Sequence, residues 1–300
     1  MYAKLLGLDQ YAYEPMSEPV SIEQALVDAT TRLREVSESA RLDAELLLAR
    51  CIDMPRSYLF AHPEDTLDEA ALGRLERTLQ RRVEGEPLAY ITGSKEFWSL
   101  ELIVSPATLV PRPETELLVD IALREIPREA DWAILDLGTG SGAIALAIAK
   151  ERQLCQVSAV DVSPEALAVA RENANQLTIS NISFFQGNWT EPVADQKFKV
   201  IASNPPYVAS GDAALDALRA EPAVALTAGE DGLESIAILA RDCRTIIDDG
   251  GPLLLEHGAD QRDDVAEVLL SYGWDRIRCY DDYSGNPRVT RAYYSSSETT

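Results

Sequence analysis

Histidine is nearly missing from this chain: only His62 and His257 occur, far apart in sequence. Two isolated imidazoles cannot build a His-rich metal site, and they make a Ser-His-Asp relay a poor candidate. Cysteine is also scarce. Cys51, Cys155, Cys243 and Cys279 are scattered with no C-x-x-C pair, so neither a zinc site nor a disulfide framework is indicated and no metal is expected. Lysine occurs five times in 300 residues, within 27 basic residues set against 50 acidic ones and a formal net charge of −23. Nonspecific nucleic-acid affinity comes mainly from counterions displaced at Lys/Arg patches, so this balance argues against direct nucleic-acid binding. There is no run of about eighteen apolar residues, and the opening "MYAKLLGLDQYAYEPMSEPV" lacks the basic start and apolar centre of a secretion signal. A cytoplasmic protein without membrane contact is expected.

What is present divides by texture. With 46% hydrophobic residues the chain can bury a large core. From Ser21 the apolar residues Ile22, Ala25, Leu26, Ala29, Leu33 and Val36 recur at helical spacing behind the capping-box pattern "SIEQ". A second stripe, "ARLDAELLLARCI", is interrupted by Pro55. Thr66 opens another capping-box pattern, "TLDE", before "AALGRLERTLQRRVEG". Residues 21–86 therefore read as a small helical bundle, with residues 1–20 as an N-terminal extension. Residues 87–110 alternate apolar and polar side chains between Gly and Pro breaks, the pattern of a β-hairpin linker. From 111 to 300, short apolar runs such as "WAILDLG", "QVSAVDV", "FKVIASN" and "GPLLLEHG" alternate with helical stretches. That is the signature of an α/β fold with a mostly parallel, doubly wound sheet, closed by antiparallel pairing at the C-terminal end.

Two stretches carry chemistry. In "ILDLGTGSGAIALA", Gly138, Gly140 and Gly142 lie between a strand and a helix, where bare backbone and helix N-terminal amides can approach a ligand. The next strand ends in Asp161, an acid placed to accept from ribose hydroxyls. Together they describe an adenosine-type pocket, although "GTGSGA" also fits the dinucleotide pattern G-x-G-x-x-A of nicotinamide dehydrogenases. Asp136 reads as the residue that pins the turn. Trp189, after Asn188 in "FFQGNWTEP", could flank a planar base or simply fill the core.

The second stretch, "IASNPPYVAS", ends a strand in a stiff corner that presents acceptors and no donors, since neither Pro205 nor Pro206 has a backbone N–H. Asn204 offers a side-chain carbonyl and Pro205 a backbone carbonyl to a planar group bearing NH2, and Tyr207 offers a face to lie against. A plain strand-ending turn is the bland alternative. Two acceptors around a carboxamide nitrogen suit its alkylation, because its hydrogens become stronger donors as the nitrogen gains positive charge. Such an electrophile should be nucleoside-linked and already activated, and S-adenosylmethionine meets both needs.

With these residues in view, the sequence resembles the protein-glutamine N-methyltransferases that modify peptide chain release factors, a branch of the class I S-adenosylmethionine-dependent methyltransferases. The likeness runs from about Ser21 onward through "EPLAYITGSKEFW", "LVPRPETE", "LDLGTGSGAIALA", "AVDVSPEAL", "SNPPYV", "GGPLLLEHG" and "NPRVT". It implies a Rossmann-like catalytic domain behind a helical domain that helps hold the release factor. It assigns Gly138, Thr139, Gly140, Ser141, Gly142, Asp161, Trp189 and Asn204 to the cofactor. It assigns Asn204, Pro205, Pro206 and Tyr207 to the substrate glutamine, with Asn204 and Pro205 as the catalytic acceptors. The implied substrate is the glutamine of a Gly-Gly-Gln loop in class 1 release factors, and the implied enzyme is a monomer. Asn188 stands where this family usually has an acid. Three other readings use some of the same residues: an adenine methyltransferase, which shares "NPPY"; a nicotinamide dehydrogenase, which leaves "NPPY" idle; and a noncatalytic release-factor-binding protein.

Overall fold

The computed structural model describes residues 19–295. Most of the predicted N-terminal extension therefore lies outside the described residues. Contacts divide the chain into two units, Met1–Thr92 and Gly93–Thr300.

The first unit is helical: α1 (Ile22–Leu33), α2 (Ala40–Ile52), α3 (Arg56–Ala61), α4 (Glu69–Val83) and α5 (Leu88–Thr92). The capping box opening α1 is formed. Gln24 N donates to Ser21 Oγ at 3.2 Å and Ser21 N donates to Gln24 Oε1 at 2.9 Å, which satisfies two amides that helix geometry leaves unpaired. The α1 stripe Ile22, Ala25, Leu26, Ala29 and Leu33 is buried with Leu47 and Leu48 of α2 and Leu75 and Leu79 of α4. The second cap differs from the pattern in the sequence. Asp68, not Thr66, caps α4, accepting from Ala71 N at 2.6 Å, while Thr66 is drawn into a bridge with Ser21. A carboxylate at that place also faces the positive end of the helix. Within the stretch read as a hairpin linker, α5 comes first, and its Leu88 and Ile91 pack on the helical core.

The second unit opens with the hairpin β1 (Ser94–Phe97) and β2 (Leu100–Ile103). Its two turn residues, Trp98 and Ser99, are both left-handed, with φ of 52° and 55°, a conformation that ordinarily selects Gly or Asn. Trp98 N donates to Glu116 Oε1 at 2.8 Å and Trp98 Nε1 to Glu151 Oε1 at 3.3 Å, contacts that hold the turn despite its side chains. Phe97, Leu100 and Leu102 enter the core of this unit, so burial fixes the hairpin.

The chain then winds through α6 (Glu116–Glu125), β3 (Ala133–Leu137), α7 (Ala143–Glu151), β4 (Gln156–Asp161), α8 (Pro164–Gln176), β5 (Ile182–Gln186), β6 (Val200–Ser203), α9 (Ala214–Ala217), α10 (Glu234–Ile246), β7 (Pro252–Glu256), α11 (Arg262–Ser271), β8 (Trp274–Asp281) and β9 (Pro287–Tyr294). The sheet order is β5-β4-β3-β6-β7-β9-β8, parallel from β5 to β7, with β9 antiparallel to both its neighbours. The period of two along each strand feeds two cores. Ile134, Val200, Ala202 and Leu254 face one side with α6 and α7. Leu135, Leu137, Ile201, Leu253 and Leu255 face the other with α10 and α11.

This winding positions the site. The strand after β4 and β5 returns to the opposite side of β3, so the order reverses between β3 and β6, and the crevice at a switch point opens at their carboxyl ends. The last residues of the two strands are in register, Leu137 opposite Ser203. Ser203 Oγ donates to Leu137 O at 2.7 Å and ties them together. Among the described residues, no helix is long and apolar enough to cross a membrane.

Candidate active site

The crevice holds a cavity of about 380 Å³, within the usual size range of small-molecule sites. Its walls come from the segments at the carboxyl ends of β3, β4, β5 and β6, from the segment entering α6 and from the start of α10.

After β3 the chain turns through Gly138–Gly142 into α7. Asp136 pins this turn: its buried Oδ2 accepts from Thr139 Oγ1 at 2.7 Å and from Ala145 N at 3.2 Å. Its Oδ1 has no hydrogen-bond partner, and burial pushes its pKa up to about 7. Gly140 is left-handed, with open space where a Cβ would stand. Gly142 is required for packing, since a Cβ there would lie 2.9 Å from Leu146 Cδ1 and 3.3 Å from the Ala170 Cβ.

Asp161, at the end of β4, accepts from Gly140 N at 2.8 Å through Oδ2 and from Ser163 N at 2.9 Å through Oδ1. Each carboxylate oxygen keeps a further lone pair for a hydroxyl. Trp189 is left-handed (φ 46°), and its ring stands 3.6 Å from where a Gly138 Cβ would be. Gly138, Thr139, Gly140, Ser141, Asp161, Asn188 and Trp189 line the cavity together; Gly142 supports the turn from behind it. An adenosine-type nucleoside fits these residues: the bare backbone at Gly140 admits close approach, Asp161 offers acceptors for two hydroxyls, and Trp189 offers an aromatic face.

The acceptor corner comes after β6. Asn204 lines the cavity, and its backbone oxygen lies 4.0 Å from the Cβ position of Gly138. Its Nδ2 donates to Thr115 Oγ1 at 3.2 Å. Pro206 also lines the cavity, whereas Pro205 is buried and neither it nor Tyr207 contributes to the lining. The Tyr207 hydroxyl is directed to Glu256 Oε1 at 3.5 Å, and burial pushes its pKa up to about 12, so it stays a donor. Backbone contacts hold Tyr207 in place. Gln261 Nε2 donates to its carbonyl at 3.0 Å, and a Cβ on Gly232 would fall 2.4 Å from that same oxygen.

Several residues that shape the site are not evident from the motifs. Arg112 lines the cavity and pairs with the buried Glu221, whose other oxygen accepts from Val110 N at 3.0 Å. This ion pair ties the segment entering α6 to the one after β6, whose Val224, Ala225, Thr227 and Ala228 form a wall. Thr115 and Glu256 lie within "PRPETE" and "LLLEHG". A signal was available for Glu256: an acid interrupting an apolar run at the carboxyl end of a parallel strand, where sites gather. His257 is away from the cavity, fully buried, with Nδ1 2.8 Å from Gly258 O and Nε2 2.8 Å from Thr290 Oγ1.

Comparison with known proteins gives a consistent picture. Residues 24–93 match a model described as the PrmC N-terminal domain, and residues 114–229 match the methyltransferase small domain. The chain is 47% identical over 281 residues to the release factor glutamine methyltransferase of Vibrio cholerae, covering 92% of this chain and 98% of that protein. It is 44% identical over 262 residues to the Escherichia coli K12 protein of the same description, covering 87% and 94%. A solved methyltransferase from Pyrococcus furiosus, 20% identical, superposes with a TM-score of 0.52 over 73% of this chain and 99% of its own, a likeness of fold.

Proposed function

We propose how this chain acts from one premise: it belongs to the release factor glutamine methyltransferase family. It is an enzyme that transfers a methyl group from S-adenosylmethionine to the side-chain amide nitrogen of a glutamine in a peptide chain release factor. The target glutamine is that of a Gly-Gly-Gln loop, and the helical first unit helps hold the release factor. The enzyme works as a cytoplasmic monomer and needs no nucleic acid. One observation carries the reading: Asn204 and the glycine turn line the same cavity, brought side by side by the Leu137–Ser203 register.

When bound, the cofactor supplies an electrophilic methyl group on a sulfonium. Asp161 holds the ribose hydroxyls, Gly138, Thr139, Gly140 and Ser141 admit the ligand to the turn, Gly142 keeps that turn packed, and Trp189 lies against the base. Asn204 Oδ1 and the Pro205 carbonyl accept the two hydrogens of the glutamine NH2, with Pro206 and Tyr207 completing the slot. An amide nitrogen is a poor nucleophile because its lone pair is conjugated; losing that conjugation costs about 18–20 kcal/mol. The two acceptors strengthen as the nitrogen becomes positive, contributing about 1.5–3 kcal/mol each for charge-assisted bonds. Holding the reacting atoms in line supplies about 7–11 kcal/mol more. The N-alkylated amide gives its proton to water, so the scarcity of histidine is no obstacle. Asn204 also lies toward the cofactor, which couples the two halves.

Mass spectrometry of a release factor incubated with this protein and methyl-labelled S-adenosylmethionine tests the reading. The expected result is one labelled methyl on the amide of the Gly-Gly-Gln glutamine. No label on the release factor, or label on DNA adenine instead, would contradict it.

A further inference from the structure

We propose that Arg112, held in place by the buried Glu221, binds the α-carboxylate at the methionyl end of S-adenosylmethionine. The inference rests on the function proposed above and deepens it by naming the residue that reads the amino-acid part of the cofactor.

That cofactor is a nucleoside at one end and an amino acid at the other, and Asp161, Trp189 and the glycine turn serve the first. A carboxylate drawn out of water is costly unless it meets a cation or several donors. Among the described residues that line the crevice there are two acids, Asp161 and Glu234, and one cation, Arg112. The glycine turn offers the carboxylate little help, because its amides are already engaged. Gly138 N and Thr139 N donate to Val160 O at 2.9 and 3.0 Å, Gly140 N to Asp161 Oδ2 at 2.8 Å, and Gly142 N to Thr139 O at 2.8 Å. That leaves at most the amide of Ser141, too little to neutralise a charge.

Arg112 meets the need. Glu221, whose side chain is 3% exposed, accepts from Arg112 Nη2 through Oε1 and from Val110 N at 3.0 Å through Oε2. Both oxygens of this acid are committed, so the arginine is tethered without being enclosed: its side chain stays 35% exposed and lines the cavity. Beyond Nη2, no donor of Arg112 has a hydrogen-bond partner among the described residues. The N–H groups left over suit a carboxylate, which a guanidinium can hold by parallel N–H···O bonds.

Placement agrees. The sheet order puts Asp161 and Trp189, at the ends of β4 and β5, on one side of the switch between β3 and β6. Arg112 belongs to the other side. Thr115, in the same segment, accepts from Asn204 Nδ2 at 3.2 Å, and Glu221 lies in the stretch that follows β6. A cofactor with its ribose at Asp161 and its sulfur at Asn204 has its amino-acid end left for the Arg112 side.

The test is titration calorimetry of the full chain with two ligands, S-adenosylhomocysteine and the same thioether lacking its carboxylate. Wild type should bind the carboxylated ligand about 100-fold more tightly, the scale of a lost charge-assisted pair. Arg112→Met should shrink that preference to within about threefold while binding the decarboxylated ligand as wild type does, which also shows that its pocket is intact. Arg112→Lys should keep a preference of about tenfold, since an ammonium supplies the charge without the planar fork.

Equal affinity of wild type for the two ligands, or equal losses of both in Arg112→Met, would overturn the inference. So would a preference kept in full by Arg112→Met while its KM for the release factor rises, which would move the guanidinium to the substrate. A wild type that binds neither ligand, or that leaves the release factor unmethylated, would instead overturn the function on which the inference rests, so the two failures are told apart.

Discussion

The two halves of the crevice are held by different means. The glycine turn draws chiefly on its own chain and the next strand. Asp136, Thr139 and Ala145 close it within ten residues of chain, Val160 and Asp161 at the end of β4 hold its amides, and Asn173 of α8 donates to the Ser141 carbonyl. The acceptor corner borrows nearly everything: Thr115 from before α6, Glu256 from β7, Gln261 from the start of α11 and the bare backbone of Gly232. The glycine turn is thus held mostly by neighbouring backbone, whereas the corner at Asn204–Tyr207 depends on side chains brought from afar.

Each half of the crevice can be disabled separately. The largest effect is expected for Asn204→Ala, a fall in kcat of about 1,000-fold, the scale of removing one oriented hydrogen-bonding group from a transition state. Its unfolding midpoint should stay within a few degrees of wild type, by calorimetry. Next comes Asp161→Ala, which should weaken S-adenosylmethionine binding about 100-fold in titration calorimetry, as hydrogen bonds to a charged group are lost. A fall in kcat with unchanged cofactor affinity would show that the halves do not divide the work in this way. Gly232→Ala sharpens the contrast. The new methyl must displace the Tyr207 carbonyl from a backbone at φ +76°, so kcat should fall about tenfold while cofactor affinity holds.

The last effect is one of stability. Asp136 has its pKa raised from 3.8 to about 7 by burial, so between these values the unfolded chain binds fewer protons than the folded one. Stability should therefore decline as pH rises from about 4 to about 7 and level off above. Asp136→Asn should flatten part of that slope in denaturant titrations at several pH values. Glu256, with the same direction of shift, supplies another part.

The same contrast governs what could be read in advance. The doubly wound sheet is legible because its strands are short apolar runs between helical stripes, and β3, β4, β6 and β7 are largely buried on both faces. The glycine turn and Asp161 are legible because their spacing is local. Thr115 and Glu221 are silent as individual residues, and Glu256 signals only that an acid ends an apolar strand, because their partners depend on which strand lies beside which, and that is settled by the crossover between β3 and β6. The cap at Asp68 shows the same limit on a small scale: Thr66 has the right chemistry, yet pairing with Ser21 takes it away from the helix start.

The most direct test is a crystal structure of this chain with S-adenosylhomocysteine and a Gly-Gly-Gln peptide. The glutamine nitrogen should sit within hydrogen-bonding distance of Asn204 Oδ1 and the Pro205 carbonyl, on the side facing the cofactor sulfur. A glutamine held elsewhere, or an Asn204 carboxamide with its NH2 turned to the peptide, would contradict the account.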